Sequence, residues 1–314
     1  MRYVLSRLGH GLLVLALVTV VVFLAIRAVP GDVVRTQLAD SPGVTEEMIA
    51  QRSAELGLDK PILTQFGTFA TGLVRGDLGN SFVDGRPVTE SILERLPPTL
   101  ELGALALLLG ILLGAPMGML AAVRRNSVLD QTMRVLAVLG LSIPSFWLAL
   151  LLITFLSRYV GWSPPLVYQG PTENLGDNLA QMALPVIALA TATMAVVARM
   201  VRSSMLEVLG SNFIRTVRAR GASEFTVLVK HAGRSSLLSV FTVLGLQVGA
   251  ILGGTVLLEG IFSIPGMGSY VFEAVQMRDY PAVIGSVIFY GGLFIIVNLI
   301  VDIVYAVIDP RIRY

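Results

Sequence analysis

The sequence predicts an all-α integral membrane protein with six transmembrane helices. Hydrophobic residues make up 54% of its 314 positions and charged residues only 14%, and the mean hydropathy of +0.78 exceeds that of soluble domains. Six stretches free of Asp, Glu, Lys and Arg are long enough to cross a hydrocarbon core of about 30 Å, which requires roughly 20 helical residues. These stretches are 8–26, 102–123, 135–157, 178–198, 235–258 and 280–301.

Residues 1–29 are predicted to form an N-terminal transmembrane helix. Arg2 and Arg7 precede the apolar run, as basic residues also do in a secretory signal peptide. The run is longer than the apolar region of such peptides, and no cleavage pattern of small residues comes before Arg27 and Pro30. We therefore expect a helix that is retained in the membrane.

Residues 30–98 form the only large segment outside the predicted membrane helices, and we expect them to fold as an extracytoplasmic cap. Thr45 and the two glutamates after it are typical of a helix start, and this helix is predicted to run to Leu56. A second run with helical spacing continues from Gln65 to Leu73.

Residues 99–308 are predicted to form the core, with five membrane helices and a cytoplasmic loop at 199–234, and residues 309–314 a cytoplasmic tail. The distribution of basic residues supports this orientation. With the N-terminus inside, most of the 23 Lys and Arg residues lie in cytoplasmic segments. The long segment 30–98 holds most of the others, and the positive-inside rule has little force there.

The cytoplasmic loop contains a basic, amphipathic sequence between two apolar runs. Residues Asn212 to Arg220 and Ser223 to His231 are each predicted to form a short helix, and Gly221 between them suits a turn with positive φ. Ser223 is predicted to cap the second helix, and His231 to lie at its C-terminus, where a cation is favourable. The side chains Phe225, Leu228 and Val229 share one face of this helix. Two short helices cannot form a core alone, so this loop is expected to dock against something.

Several motifs of the chain resemble those of the ABC-importer permeases for dipeptides, oligopeptides and nickel. In the loop, the matching residues are Phe213, Arg215, Thr216, Arg218, Ala219, Gly221, His231, Ala232 and Arg234, whereas Ala222, Gly233 and Ser239 depart from the pattern. Elsewhere GLDKP at 57–61, GDLGNSF at 76–82, LEGIFSIPGMG at 258–268, RDYP at 278–281 and DPRIRY at the C-terminus are similar to family motifs in the same order.

This resemblance implies the type I ABC-importer permease fold in a bacterial inner membrane. It implies a dipeptide or oligopeptide importer that consists of a second homologous permease, two ATPase subunits that bind ATP and Mg, and an extracytoplasmic peptide-binding protein. Nickel chelates or glutathione are the alternative substrates. The implied ATPase-coupling residues are Phe213, Arg215, Thr216, Arg218, Arg220, Gly221, Phe225, Leu228, Val229, His231 and Arg234. The alternative for the loop is a basic segment held at anionic lipid headgroups.

Small residues and prolines indicate how the predicted helices pack. Glycines recur at every fourth position in the second and fifth spans, at Gly110, Gly114 and Gly118 and at Gly245, Gly249 and Gly253. Such stripes allow close helix contact, either within this chain or with the partner permease along the translocation path. Three further residues, Pro116, Pro144 and Pro185, fall inside predicted helices and mark candidate kinks.

Four residues are candidates for the translocation path: Glu101, Gln247, Gly249 and Glu259. The two glutamates lie toward the outer ends of the second and fifth helices, and one interpretation is that their carboxylates bind the ammonium group of an entering peptide. Interfacial exposure or packing against the cap is the alternative for both. The amide of Gln247 either lines the path or bonds a neighbouring helix.

Other functional classes are disfavoured by what the sequence lacks. It contains no Gly-rich phosphate loop for ATP, and the central stretches contain none of the Asp, Glu, Lys or Arg residues that a gradient-driven transporter needs. With no Cys and two distant His residues we expect no metal site, and no catalytic residues, with an intramembrane hydrolase as a remote alternative. The basic pI of 9.0 is explained by an excess of Lys and Arg in the loops on the cytoplasmic side of the lipid bilayer. No nucleic-acid partner is therefore expected.

Overall fold

The computed structural model describes residues 2–28, 31, 33–38 and 44–308, without the side chains of 2–6, 37–38, 235, 237–244, 246 and 302–308. The predicted cytoplasmic tail, 309–314, lies outside the described residues. The described part of the chain is mostly helical and contains no β-strand, only an isolated bridge between Asn80 and Pro87. This agrees with the all-α prediction.

The helices follow one another with short connections. They are α1 (Arg2–Ala28), α2 (Val33–Leu38), α3 (Glu46–Glu55), α4 (Ile62–Val74), α5 (Val88–Val123), α6 (Val128–Ser142), α7 (Ser145–Phe155), α8 (Leu175–Leu209), α9 (Asn212–Ala219), α10 (Arg234–Ile261), α11 (Met267–Gln276) and α12 (Tyr280–Ile308). Two π-helical segments, Leu156–Val160 and Thr226–Gly233, adjoin α7 and α10.

Among the described residues, four helices are long and apolar enough to cross a membrane. These are Arg7–Ala28, Val88–Val123, Leu175–Leu209 and Tyr280–Val301. Helices α6 and α7 together amount to a fifth crossing if the bent pair is one span, and α10 contributes the shorter apolar stretch Gln247–Ile261. The chain is therefore a multi-pass membrane protein, and the predicted number of six spans stays a prediction.

The bend between α6 and α7 occurs at Pro144. The two helices meet at 102°, and Pro144 is the N-cap of α7 with φ −60° and ψ 135°. The residue before it, Ile143, leaves the helical region with ψ 119°, as steric contact with a proline ring favours. The interpretation that Pro144 lies inside a helix is therefore wrong, whereas Pro185 does lie inside α8.

The chain divides into two compact units. The first comprises 1–98 and 265–295, and the second comprises 99–264 and 296–314. Helices α5 and α12 each contribute residues to both. The division by membrane topology at residues 29, 98 and 308 stays a prediction.

The first unit contains the two helices predicted in the cap segment. Thr45 is the N-cap of α3, because its hydroxyl oxygen accepts a hydrogen bond of 3.3 Å from the Met48 amide. In α4, Phe66 lies edge-on to Phe23 of α1, with ring centroids 5.1 Å apart. Nearby, the Arg27 guanidinium lies 3.6 Å over the Phe23 ring. Aromatic packing thus attaches α4 to the end of α1.

The second unit is built around α8, which packs against α6, α7 and α10. Its contact with α5 follows the predicted glycine stripe. A Cβ atom on Gly110 would lie 2.7 Å from the Thr193 side chain, and one on Gly114 would lie 2.6 Å from the Met194 carbonyl oxygen. Gly118 approaches the backbone of Ala198 in the same way. The stripe on α5 therefore serves packing within this chain.

Candidate functional site

Within the predicted loop 199–234, residues 199–209 continue α8, and the exposed part of the loop begins with α9, whose start is capped by Ser211. The Ser211 hydroxyl oxygen accepts a hydrogen bond of 3.4 Å from the Ile214 amide, and the Ile214 side chain is fully buried. Its neighbour Phe213 is 56% exposed. One apolar residue thus anchors the helix and leaves its basic faces accessible. The residues Arg215, Thr216, Arg218 and Arg220 are all exposed.

The turn after α9 has the conformation predicted for Gly221. Its φ is +82°, and its amide donates a hydrogen bond of 2.9 Å to the Arg218 carbonyl oxygen. A Cβ atom at this position would meet nothing within 4 Å. The requirement for glycine is therefore conformational, since residues with a Cβ adopt this region at a cost.

An ion pair across this turn was not predicted. The Arg218 guanidinium donates hydrogen bonds of 2.7 Å and 3.1 Å to the two carboxylate oxygens of Glu224. This pairing lowers the pKa of the Glu224 carboxyl below its usual range. Both side chains are exposed, so the pair orients the turn rather than adding much to stability.

The second half of the loop differs from the prediction. Ser223 caps it as expected, accepting a hydrogen bond of 3.3 Å from the Thr226 amide. The following segment Thr226–Gly233 is π-helical and continues into α10 without a break. The prediction that His231 lies at a helix C-terminus is therefore wrong, because the helix continues past it. The physical reason is that Gly233 keeps a helical φ of −61°, so no residue terminates the helix there.

The π-helical segment changes which apolar side chains face inward. Of the predicted apolar face, Leu228 is half-buried, but Phe225 is 75% exposed and Val229 is 51% exposed. The buried positions are Val227, Ala232 and Gly233, of which the first two carry apolar side chains. A π-helix closes its hydrogen bonds over five residues instead of four, so α-helical spacing does not predict its faces.

A buried apolar cluster lies beneath this loop. Its members are Ala115, Ala122, Val197, Val201, Met205 and Ala232, with Leu228 packed against them. At the loop surface, the rings of Phe213 and His231 meet edge to face, with centroids 5.6 Å apart, and Arg234 is exposed. The loop is thus attached to α8 and α5 on one side and presents basic and aromatic groups on the other.

A buried ion pair next to the loop was missed by sequence reasoning. Asp130 of α6 is fully buried and accepts hydrogen bonds of 2.7 Å and 2.9 Å from the Arg202 guanidinium on α8. The amide of Asn126 donates to the same carboxylate at 3.0 Å, and Ser127 caps the helix. The Ser127 cap was a local signal that a helix begins near Asp130. The ion-pair partner of Asp130, Arg202, lies 72 residues away and left no such signal.

The two predicted path glutamates have different surroundings. Glu259 is fully buried, and Thr99 donates a hydrogen bond of 2.7 Å to its carboxylate. Glu101 is half-buried and accepts a hydrogen bond of 2.9 Å from the Tyr168 hydroxyl. Burial and the bond to Glu101 both raise the pKa of Tyr168 above its usual value.

The other two path candidates lie on α10. The Gln247 amide lies 3.4 Å from the Thr193 hydroxyl of α8, a long hydrogen bond between neighbouring helices. Gly249 is half-buried. The four candidates thus lie on two helices, and each of the three polar ones engages a different neighbour; their role in a path stays a prediction.

Two of the motifs quoted from the sequence meet in the first unit. Asp279 of RDYP accepts hydrogen bonds of 2.5 Å from the Ser81 hydroxyl and 3.1 Å from the Phe82 amide, both in GDLGNSF. Asp279 and Ser81 are buried. The carboxylate therefore joins two segments that are 198 residues apart in sequence, which gives both motifs a structural role.

Comparison with known families assigns nearly the whole chain. Residues 114–314 match the family model described as "Binding-protein-dependent transport system inner membrane component". Residues 1–103 match the model described as "Binding-prot-dependent transport system membrane comp, N-term". The chain belongs to this family. The loop 199–234 lies wholly within the residues that match the first of these models.

The relatives of this transport component are named as peptide permeases. It is 41% identical to the dipeptide transport system permease protein DppB of Escherichia coli (strain K12), over 100% of this chain and 99% of that protein. It is 40% identical to a putative peptide transport system permease protein of Brucella abortus (strain 2308), over 99% and 98% of the two chains. The DppB of Alkalihalophilus pseudofirmus is 37% identical over the full length of both.

Solved structures share the fold of this transport component. A chain of the methionine ABC transporter MetNI, in an inward-facing conformation, superimposes with a TM-score of 0.56 at 19% identity. The match covers 70% of this chain and 97% of that one. At this identity the likeness concerns the fold alone.

Proposed function

We propose that this chain is a permease subunit of an ATP-driven ABC importer for dipeptides or oligopeptides. The observation that carries the proposal is its identity of 41% over its full length to a permease named for dipeptide transport. The exposed basic loop, attached to α8 by an apolar cluster, supports a docking role on the face that carries it. The subunit itself is not an enzyme.

The proposed arrangement has six spans in the inner membrane, with both termini in the cytoplasm and residues 30–98 as an extracytoplasmic cap. A second homologous permease completes the translocation path. Two ATPase subunits bind ATP and Mg and dock on the loop 199–234, and a peptide-binding protein delivers substrate from outside. The distribution of Lys and Arg supports this orientation.

The coupling mechanism follows from how the loop is attached. Movement of the ATPases displaces α9 and the Gly221 turn, whose exposed arginines and Phe213 offer the contact surface. The buried cluster beneath the loop passes that displacement to α8. Since α8 packs against α6, α7 and α10, a shift of α8 reorients the helices of the second unit. This packed attachment supports alternating access driven from the loop.

The proposed substrates are peptides, with nickel chelates or glutathione as the alternatives. The relatives' names favour peptides. Within the described residues no group of three or more His, Cys, Asp or Glu side chains is placed to hold a metal ion. The lack of Cys and the presence of only two His residues disfavour a bare metal ion as a ligand of this chain, while a chelated one is compatible with it.

The experiment is ATP hydrolysis by the complex purified through this subunit and reconstituted in lipid. The binding protein alone is compared with the binding protein plus a dipeptide library, a nickel chelate or glutathione. Stimulation by particular peptides is the expected result. If only a chelate or glutathione stimulates hydrolysis, the peptide assignment is wrong, and if no ATPase co-purifies, the docking role of the loop is wrong.

A further inference from the structure

A cavity of about 280 Å3 lies between α5, α6 and α8 in the second unit, beside the buried ion pair of Asp130 and Arg202. Its walls are almost entirely apolar, and its charged groups are all arginines. The lining residues are Met117, Gly118, Ala121, Met133, Arg134, Ala137, Val138, Leu141, Ala198, Arg199 and Arg202. It is close in size to the smaller ligand pockets of proteins, which start at roughly 300 Å3.

The three arginines of the cavity are not equally engaged. Arg202 is held by both carboxylate oxygens of Asp130. Arg134 reaches the same carboxylate only at 3.7 Å, which is beyond a normal hydrogen bond, and its side chain is 53% exposed. Arg199 is exposed, and no acidic side chain in the described part of the chain forms an ion pair with it. Three arginines against one aspartate leave two positive charges at the cavity.

The combination of apolar walls and surplus arginines specifies an amphiphilic anion. Away from the arginines the apolar wall offers a buried water none of the polar partners that it needs, whereas an acyl chain needs none. A guanidinium group binds a phosphate with two parallel hydrogen bonds. Basic pockets between membrane helices are suited to phospholipid headgroups for this reason.

We propose that this cavity binds one anionic phospholipid. The phosphate lies at Arg134 and Arg199, and an acyl chain lies along the apolar wall formed by Met117, Met133, Ala137, Val138 and Leu141. The ion pair of Asp130 and Arg202 stays intact beside the headgroup. A free phosphate ion shares the chemistry of the headgroup but not that of the acyl chain, so the two sources are separable.

The proposed lipid lies against the end of α8 that leads into the loop, so it affects how the loop is held. Helix α8, which supplies Arg199 and Arg202, ends at Leu209, and α9 starts at Asn212. A bound lipid therefore braces the part of α8 that carries the docking loop. This consequence rests on the proposed function of the loop, but lipid binding itself does not.

The test measures lipid retained by the full chain. The protein is incubated in vesicles of equal parts phosphatidylcholine and phosphatidylglycerol, extracted in detergent, and examined by native mass spectrometry. The double variant Arg134→Gln/Arg199→Gln is expected to retain less phosphatidylglycerol, by about fivefold for each arginine removed. Arg124→Gln/Arg125→Gln is the matched control, because these two exposed arginines lie on the adjacent turn and do not line the cavity.

A second variant tests the apolar wall separately. Ala137→Trp fills the cavity but keeps every arginine, and we expect it to lose phosphatidylglycerol as well; Ala137→Leu replaces it if the larger variant does not fold. Excess glycerol phosphate is expected not to displace the bound lipid. The proposal is overturned if the double variant retains normal phosphatidylglycerol, if the control loses as much, if glycerol phosphate competes, or if phosphatidylcholine is retained equally well.

Discussion

Gly221 holds a backbone conformation that other residues adopt only at a cost. A left-handed φ costs an ordinary residue about 1–2 kcal/mol, and more for a β-branched one. We predict that Gly221→Val abolishes the substrate-stimulated ATP hydrolysis of the reconstituted complex, while the variant chain still inserts in the membrane. Space is not the reason, because a Cβ atom there would contact nothing within 4 Å.

Asparagine provides the matched control for this position. It tolerates positive φ better than other non-glycine residues, so Gly221→Asn is expected to keep most of the stimulated hydrolysis. If the valine and asparagine variants have equal activity, the turn conformation does not matter for coupling.

Asp130 is a buried carboxylate whose loss should reduce stability. Asp130→Asn leaves the Arg202 guanidinium, whose side chain is 21% exposed, next to a neutral amide. We expect a cost of about 2 kcal/mol, below the roughly 3 kcal/mol or more that is typical when one partner of a fully buried pair is removed. We expect the Tm of the detergent-purified chain to fall by several degrees. Replacement of both Asp130 and Arg202 by leucine should recover much of the loss, since the cation that remains nearby, Arg134, is 53% exposed to solvent.

The exposed ion pair on the loop is the control for this experiment. Glu224→Gln removes the partner of Arg218, but both side chains are exposed to solvent. The Tm of that variant is expected to stay at the value of the unaltered chain. A fall as large as that of Asp130→Asn would mean that burial does not decide the effect.

Local signals at single residues were sufficient for some of these features. The caps Thr45 and Ser223 and the turn at Gly221 depend on groups within a few residues, and all three were predicted. The pairing of Asp130 with Arg202 depends on how α6 meets α8. Spacing along the sequence carries no information about that contact.

At the scale of helices, the contact between α5 and α8 depends on the absence of side chains on α5. A Cβ atom on Gly114 would lie 2.6 Å from the Met194 carbonyl oxygen and 3.0 Å from the Val197 side chain. We predict that Gly114→Val lowers the free energy of unfolding by about 2 kcal/mol or more, because neither backbone can yield without separating the helices. Thermal unfolding in detergent measures the effect.

The control for the helix contact is Gly253→Val on α10. A Cβ atom there would meet nothing within 4 Å, although Gly253 belongs to a glycine stripe of the same spacing. Equal destabilisation by the two variants would show that helix propensity, and not the close contact, determines the cost. Gly114 and Gly253 belong to stripes of the same spacing, but only Gly114 lies against another helix. The spacing of glycines in the sequence therefore does not reveal which helix, if any, a stripe contacts.

Two irregular elements were beyond sequence reasoning. The segment Thr226–Gly233 has the composition of an α-helix, and its π-helical form determines that Val227 rather than Phe225 is buried. The bend at Pro144 was expected as a kink within a helix, yet the chain turns by 102° there. Both outcomes depend on packing against other helices, which overrides local preference.

At the scale of the whole molecule, the motifs quoted from the sequence connect distant segments. Asp279 bonds Ser81 in the first unit, and Thr99 bonds Glu259 in the second. The family resemblance was recognisable because these motifs occur along the chain in the order typical of the family. Their structural roles were not, because each depends on a contact across more than a hundred residues.

The proposed membrane topology is testable because the chain contains no cysteine, so a single introduced thiol is a unique label. Glu47 on α3, Thr216 on α9 and Leu112 on α5 are all exposed on the isolated chain. With a membrane-impermeant maleimide, Glu47→Cys should react in right-side-out vesicles and Thr216→Cys only in inverted ones. Leu112→Cys should react in neither, since hydrocarbon covers it. The opposite pattern for the first two would reverse the orientation, and labelling of Leu112→Cys would remove α5 from the spans.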